Sequence, residues 1–335
     1  MKDCIIILPY FGRFHNYFQL FLRTCGKNDK FTWLIITDDK SKYDYPDNII
    51  VEYMSFSDFR DMVQKKFPFQ ISLDKPYKLC DYRPAYGYIF EERISEYQYW
   101  GHCDCDLLFG DLNSKVLPLF DKGYDKIFAA GHLTFYKNNS ENNRQFWTLL
   151  DGRCYFKQYS LENALKGFDE DGGNVNNIHR IYKTCGLPVY DEDISYNCNA
   201  LYHNFRRSKY SNLDGKWHVE PWTKSSFYWE NGKILQLIYS DSAVIKREYI
   251  YMHFQGRKTM RIENEEFVSN TLRICPGKFV YIDKRPEKIS EIKKVAKKEC
   301  NLDVLRLFIF RQKLKLGKLK VGVLNFIKRG ERYDT

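Results

Sequence analysis

A continuous apolar run, Ile5-Ile6-Ile7-Leu8, opens the chain and stops at Pro9-Tyr10-Phe11-Gly12. A short unbroken apolar run closed by a turn signal predicts a strand buried on both faces. Tyr17, Leu20, Phe21 and Leu22 follow at loose helical spacing, and Phe31–Ile36 is a second such strand, ending at Thr37-Asp38-Asp39. Ile49–Tyr53 is a third short strand, and Phe56–Phe67 a helix with Ser55 or Ser57 as its cap. Strands alternating with helical segments predict an α/β protein with a largely parallel sheet and crossover helices. Ligands of such sheets gather at the carboxyl ends of strands. The Pro9–Gly12 and Thr37–Asp39 loops both fall there.

Further along, Pro84–Tyr97 reads as a helix with Pro84 in its first turn and Ala85, Tyr88, Ile89 and Ile94 on one side. Gln98–Cys103 is a strand, Ile127–Ala130 and Leu133–Tyr136 are two more, and Asn143–Leu150 is a helix. From about 150 to 248 the periodicity is weak and the loops are rich in Asp, Asn, Gly and Tyr. Tyr249–Phe254 returns as a strand, and Glu287–Phe310 is mostly helical. No clean linker interrupts the chain. The expected division is one catalytic domain over 1–285, with a nucleotide-sugar part over about 1–140 and an acceptor part over about 141–248. A helical, basic C-terminal extension over 286–335 follows.

Composition narrows the picture modestly. The 335 residues are 44% apolar and 29% charged, without low-complexity tracts or a fixed repeat, as expected of a folded chain able to bury a large core. The aromatic share of 17% suits a sugar site, where rings stack on pyranose faces, but core filling is the commoner use of such residues. Met1-Lys2-Asp3-Cys4 runs straight into the first strand, so no signal peptide is expected. No apolar run approaches the roughly 20 residues of a membrane span. The chain is therefore expected in the cytoplasm, with its 10 cysteines reduced. Cys103 and Cys105 form a CxC with no second pair at zinc spacing.

The net charge of +10 is concentrated at one end. Between Leu305 and Arg332 nine Lys or Arg residues face one acid, Glu331, and apolar residues are interleaved among them. This pattern suits an interfacial helix on an anionic membrane. It also suits a helix packed on the domain with a solvated basic face. A nucleic-acid patch is disfavoured, because no binding motif accompanies the charge.

The sharpest chemical signal is Asp104-Cys105-Asp106, directly after the Gln98–Cys103 strand. Where a strand ends, the backbone can turn and aim two acids, one residue apart, at a single point. Two hard carboxylates then hold Mn²⁺ or Mg²⁺ with positions left for diphosphate oxygens. A cation there stabilises the charge that builds on a nucleoside-diphosphate leaving group. A bare DxD arises often by chance, and its ordinary reading is a pair of solvated loop acids. Here it has an apolar strand before it and Leu107-Leu108-Phe109 after it.

The segment Lys78-Leu-Cys-Asp81-Tyr-Arg83-Pro-Ala-Tyr-Gly, followed by Tyr99-Trp-Gly-His-Cys-Asp104-Cys-Asp106-Leu-Leu-Phe-Gly-Asp111-Leu, resembles a bacterial glycosyltransferase family of capsule and exopolysaccharide synthesis. More distantly it is similar to the DxD transferases that include glycogenin and the lipopolysaccharide galactosyltransferases. The resemblance implies the GT-A fold, a Rossmann-like, mostly parallel mixed sheet flanked by helices. It is strongest over Lys78–Leu112 and returns at Tyr251-Met-His253-Phe254-Gln-Gly256-Arg257-Lys258. It implies that Lys78, Asp81 and Arg83 hold the nucleotide and brace the metal site, and that His253 completes the metal shell beside Asp104 and Asp106. Arg83 has the geometry for bidentate bonds to a phosphate or a DxD carboxylate, and Asp81 could orient it. Gly256 matches the His-x-x-Gly pattern. The usual lysine six residues after the histidine is Thr259 here, so Arg257 and Lys258 are both candidates for the diphosphate.

By position, Pro9, Tyr10, Phe11, Asp38 and Asp39 are expected around the nucleobase and ribose, with Cys105 in the same wall. His132 and Asn138 are expected near a sugar. A catalytic carboxylate is sought in Asp169-Glu170-Asp171 and Asp191-Glu192-Asp193, with Glu170 and Asp191 preferred, although acidic runs are usually solvated. The function these readings give is metal-dependent transfer of a sugar, from a UDP-sugar by preference, to a growing, lipid-linked surface polysaccharide at the inner face of the cell membrane. The alternatives are a nucleotidyl- or sugar-phosphate transferase, which also uses paired acids, and a non-catalytic membrane-associated binding protein. The sugar, the linkage, the acceptor and the stereochemical outcome are not legible.

Overall fold

The computed structural model describes residues 2–172, 176–240, 243–265 and 269–297. Lys2–Tyr10 (β1), Phe31–Thr37 (β2), Ile49–Tyr53 (β3) and Tyr97–Cys103 (β4) pair in parallel in the order β3-β2-β1-β4. Along β1 and β2 alternate residues feed two separate cores. Cys4, Ile6, Leu8, Trp33 and Ile35 enter one, and Ile5, Ile7, Leu34 and Ile36 the other. This two-sided burial is the physical reason the strands read as unbroken apolar runs. The helix Phe18–Cys25 (α1) covers the first core with Phe18, Phe21 and Leu22, and Phe56–Gln64 (α2) covers the second with Phe59 and Val63. Ser55 caps α2 by accepting from the Asp58 amide.

Leu107–Phe109 (β5) follows the DxD tripeptide. Lys126–Ile127 (β6), Leu133–Lys137 (β7) and Val189–Tyr190 (β8) then extend the first sheet to β3-β2-β1-β4-β7-β6-β8, with β7 antiparallel to β4. The β4–β7 approach is close: a Cβ on Gly101 would sit 2.6 Å from the Thr134 carbonyl oxygen. The α/β class and the mostly parallel mixed sheet flanked by helices are as expected from the sequence.

The remaining strands are Tyr196–Cys198 (β9), Arg207–Ser211 (β10), Lys216–Val219 (β11), Ser225–Glu230 (β12), Lys233–Ser240 (β13), Ala243–Tyr249 (β14), Tyr251–His253 (β15), Arg261–Glu263 (β16), Thr271–Cys275 (β17) and Lys278–Tyr281 (β18). They build a second sheet, β11-β10-β9-β15-β5, and a third, β14-β13-β12-β17-β18-β16. A third core joins the elements: Tyr17 from before α1, Leu108 from β5, Phe227 and Trp229 from β12, Met252 and Phe279. The Trp229 indole donates to the Phe109 carbonyl at 2.9 Å.

Several expected elements differ. Pro84–Tyr97 is not one helix: a 3₁₀ segment over Pro76–Ala85 leads into single turns at Tyr86–Ile89 and Glu91–Ile94, and β4 begins at Tyr97. Pro84 inside the 3₁₀ segment lacks the amide a regular helix needs. Tyr82, Tyr86, Ile89, Phe90 and Ile94 hold these turns by packing into the second core. Asn143–Leu150 is likewise a 3₁₀ segment, over Asn142–Trp147. The strand read at Ile127–Ala130 stops after Ile127 because Phe128 takes a φ of 72°. The stretch from 150 to 248 is more regular than its periodicity suggested, with helices at Tyr155–Ser160 and Ile178–Thr184 and strands β8 to β13. Of the basic C-terminal extension, Ile289–Val295 is a short helix; residues 305–332 lie outside the described residues. No helix among the described residues is long and apolar enough to cross a membrane.

Candidate functional site

The tripeptide Asp104-Cys105-Asp106 spans the gap between β4 and β5, at the carboxyl end of the parallel strands. Its middle residue turns inward: Cys105 is buried in the first core, and its carbonyl accepts from His15 Nε2 at 2.8 Å. With the middle residue anchored, the flanking acids face a cleft of about 690 Å³. His253 joins them because β15 pairs antiparallel with β5, setting His253 opposite Leu107. Its Nε2 lies 3.3 Å from Asp106 Oδ1 and 3.7 Å from Asp104 Oδ2. Ligand atoms of the three residues all lie within 4.8 Å of one another.

The histidine is held for this role. Asn197 Oδ1 accepts from His253 Nδ1 at 3.0 Å, which leaves Nε2 facing the carboxylates. Burial alone would raise the Asp106 pKa, but the charge and hydrogen bond of His253, with His15 and Lys258 beyond, hold it well below the usual carboxylate range. His253 is pushed down by burial and raised further by Asp106 and Asp104, so it ends above its ordinary value. A pair this eager to share a proton is a pair in which a divalent cation can replace that proton.

Asp104 is fixed from the opposite side by Arg83, whose Nη2 bonds Asp104 Oδ1. Arg83 Nη1 reaches Asp169 Oδ2 at 2.8 Å and the Gly131 carbonyl at 3.0 Å. Burial raises the Asp169 carboxyl, against the pull of Arg83. Asp81, expected to orient Arg83, does something else. Its carboxylate pairs with Lys78 Nζ at 2.7 Å and accepts from the amides of Lys166 and Phe168, pinning the loop that delivers Asp169. Lys78 also donates to the Ala164 carbonyl. Neither Lys78 nor Asp81 lines the cleft.

Pro9, Tyr10, Phe11, Cys105, His132, Glu170, Gly256 and Lys258 all line it. Tyr10 stacks on Phe14 with ring centroids 4.6 Å apart, and Lys258 Nζ sits 5.9 Å from the Tyr10 ring. Of the two neighbouring cations Lys258 faces the cleft, whereas Arg257 turns inward to the carbonyls of Asn199 and Tyr202. Enclosure by the cleft walls, reinforced by the Asp104 charge, raises the Glu170 carboxyl above the ordinary glutamate value.

Four expected site residues serve the scaffold around it. Asp38 accepts from the Gly12 amide at 2.7 Å and Asp39 from the Phe14 amide at 3.0 Å, so the pair shapes the Tyr10–Phe14 loop without lining the cleft. Asn138 donates to the carbonyls of Ile94 and Tyr97 at the start of β4. Asp191 bonds Lys183 at 2.9 Å and Asn212 at 3.2 Å and is likewise not brought to the cleft.

The sequence reading missed Asn197, Asp169 in its pairing role, Tyr77 and Trp217, all of which line the cleft. Asn197 lies on β9, far in sequence from any motif, and only its register beside His253 on β15 identifies it. The signal for Asp169 was present: an Arg in a site needs a buried acid, and Asp169 sits next to the favoured Glu170.

A family model described as a family of unknown function (DUF6625) matches residues 6–283. No curated protein matches the chain. Among solved structures the chain is similar to apo mouse xyloside xylosyltransferase 1, at 8% sequence identity and a TM-score of 0.35, covering 58% of this chain and 86% of that one. It is also similar to the galactosyltransferase LgtC in complex with donor and acceptor sugar analogs, at 11% identity and a TM-score of 0.32, covering 58% of this chain and 75% of that one.

Proposed function

The chain belongs to the family of unknown function DUF6625, and we propose that it is a metal-dependent GT-A glycosyltransferase that moves a sugar from a nucleotide-sugar to a glycan acceptor. The observation that carries this reading is the convergence of Asp104, Asp106 and His253 on one point of the cleft. Two carboxylates with one oriented imidazole suit Mn²⁺, and Mg²⁺ less well because it takes oxygen almost exclusively. Such a cation, when bound, supplies Lewis-acid stabilisation to a departing diphosphate.

The protein's own groups divide the remaining work. Arg83 and Asn197 hold Asp104 and His253 in their ligand orientations. Lys258, which lines the cleft near the Tyr10 ring, neutralises the diphosphate, and Tyr10 offers a ring to the nucleobase, with uridine the preferred nucleoside. Glu170, which lines the cleft and whose carboxyl is raised by burial and the Asp104 charge, is the carboxyl that exchanges a proton with an acceptor hydroxyl. Arg257, turned away from the cleft, has no part in this scheme.

The acceptor we propose is a lipid-linked surface polysaccharide of the capsule type, met at the cytoplasmic face of the membrane. The support is the interleaved basic and apolar sequence between Leu305 and Arg332. Salt-sensitive binding to anionic liposomes, lost on truncation near Asn301, is the expected behaviour; a truncated chain that binds equally well removes the membrane role.

The central experiment is calorimetric binding of a panel of nucleotide-sugars with and without Mn²⁺, for the wild type and Asp106→Ala. One nucleotide-sugar is expected to bind only with the metal, and only to the wild type. Absence of nucleotide binding with any divalent metal refutes the proposal.

A further inference from the structure

Trp217 lies on β11, the edge strand of the second sheet, and lines the cleft while half exposed. Large rings at a rim are usually mobile. This one is fixed on every side. Its indole N–H donates to the Asp171 carbonyl at 2.8 Å. Its cross-strand neighbour Tyr210 packs on it at 5.6 Å and donates its hydroxyl to the Asp171 carboxylate at 2.5 Å. Beneath it, a Cβ on Gly172 would come within 2.3 Å of Trp217 Cδ1, so only glycine lets the chain pass that close. Asp171 is tied back in turn, its amide donating to the Ala129 carbonyl at 3.0 Å. An indole held this firmly in the wall of a polar cleft is a preorganised platform on which a ligand can stack.

Beside it stands a second unused group. His132 is 5% exposed, its ring centroid is 5.8 Å from that of Trp217, and its Nδ1 bonds the Tyr251 hydroxyl at 2.7 Å. Among the described residues its Nε2 has no hydrogen-bond partner, and a buried polar atom left so costs stability unless a ligand satisfies it.

Contacts order these groups along the cleft. Tyr10 lies near Lys258, then come Asp106 and His253 at 3.3 Å, then His132 with its ring 4.5 Å from His253, then Trp217. Trp217 is thus joined to the metal ligands through His132, while Tyr10 lines the same cleft from the end of β1. We propose that Trp217 and His132 form the acceptor subsite: the indole stacks on the C–H face of a pyranose, and His132 Nε2 bonds one of its hydroxyls. The assignment rests on the glycosyltransferase reading of the cleft. Its ligand is a sugar ring with several axial hydrogens on one face, since these weakly positive hydrogens meet the negative face of the indole.

The test uses saturation-transfer NMR with methyl glucoside, methyl galactoside and methyl N-acetylglucosaminide, on the full chain with UDP and Mn²⁺ present. At least one pyranoside is expected to bind, with saturation strongest on its C–H face. Trp217→Leu, which keeps apolar bulk but no π face, is expected to weaken that binding by roughly three- to tenfold. Trp217→Phe is expected to retain part of it. UDP–Mn²⁺ affinity, the control for folding, should stay within about twofold. Pyranoside binding that is absent, or indifferent to Trp217→Leu, while UDP–Mn²⁺ binds normally overturns the subsite alone. UDP-glucose or UDP-galactose losing affinity relative to UDP in Trp217→Leu would give the ring to the transferred sugar and also overturn it. Failure of the wild type to bind UDP or any other nucleoside diphosphate with Mn²⁺ removes the donor reading, and with it the subsite.

Discussion

His253 Nε2 stands 3.3 Å from Asp106 Oδ1, while its other nitrogen is committed to Asn197 Oδ1 at 3.0 Å. Nε2 is thereby aimed at the two carboxylates. His253→Ala and Asp106→Asn should abolish most Mn²⁺ affinity. Asn197→Ala, which touches no cation, should still weaken it by about 10–100-fold. Electron paramagnetic resonance of free Mn²⁺ reads this directly; an Asn197→Ala affinity equal to the wild type's would mean that the histidine needs no orienting partner.

Arg83 bridges Asp104 and Asp169 with separate nitrogens. A lysine carries the same charge but cannot span two carboxylates with a planar fork. Arg83→Lys is expected to lower Mn²⁺-dependent nucleotide affinity by about tenfold, on the scale of losing an oriented partner to a ligand. If titration calorimetry gives the same affinity for both proteins, charge alone suffices at this position.

Lys78 and Asp81 form a pair in which both side chains are 2% exposed. Removing one partner of a buried pair strands the other charge, at roughly 3–5 kcal/mol. Asp81→Asn should therefore destabilise strongly in urea unfolding, and it should also loosen the loop at Lys166–Phe168. A loss below about 1 kcal/mol would place the pair among those with little net effect.

Asp191 gives a pH dependence with a definite sign. Burial works to raise its pKa, but His179 at 3.4 Å and the hydrogen bonds from Lys183 and Asn212 outweigh it and hold the carboxyl below its usual value. Its stabilisation is complete above the unfolded-state pKa near 4 and is lost as the pH falls through the lower folded-state value. Asp191→Asn should cost roughly 1–2 kcal/mol at pH 7, with the gap from the wild type closing below about pH 4. Urea midpoints at several pH values check it; a gap constant down to pH 3 contradicts the charge-based account.

The parallel strands were legible because burial on both faces leaves an unbroken apolar run, as in β1 and β2. The region after 150 was not, because most of its strands lie in largely antiparallel sheets and lack the unbroken apolar run of a strand buried on both faces. Local signals were nevertheless there. Asn231-Gly232, both at positive φ, joins β12 to β13, and Asp214-Gly215 closes the turn between β10 and β11. Such pairs between apolar segments mark hairpins. At the site, Asp104, Asp106 and His253 could be nominated from motifs, whereas the division of labour in Asp169-Glu170-Asp171 could not. An acidic run is ordinarily solvated, yet here Asp169 is buried on Arg83, Glu170 faces the cleft, and Asp171 fixes Trp217 and Tyr210. Only tertiary contacts separate three adjacent carboxylates into three tasks.

The pairing of β15 with β5 has a consequence for when the protein becomes competent. Both acids of the DxD are in hand as soon as the first sheet has formed, but the imidazole arrives on a strand contributed much later by the chain, and its orienting Asn197 comes from β9 on that strand's other side. A nascent or clipped polypeptide ending before residue 250 would display the acidic motif and lack the complete set of ligands. High-affinity cation uptake is thus a signature of the finished molecule, and metal binding can serve as an assay of whether both ends of the fold have come together.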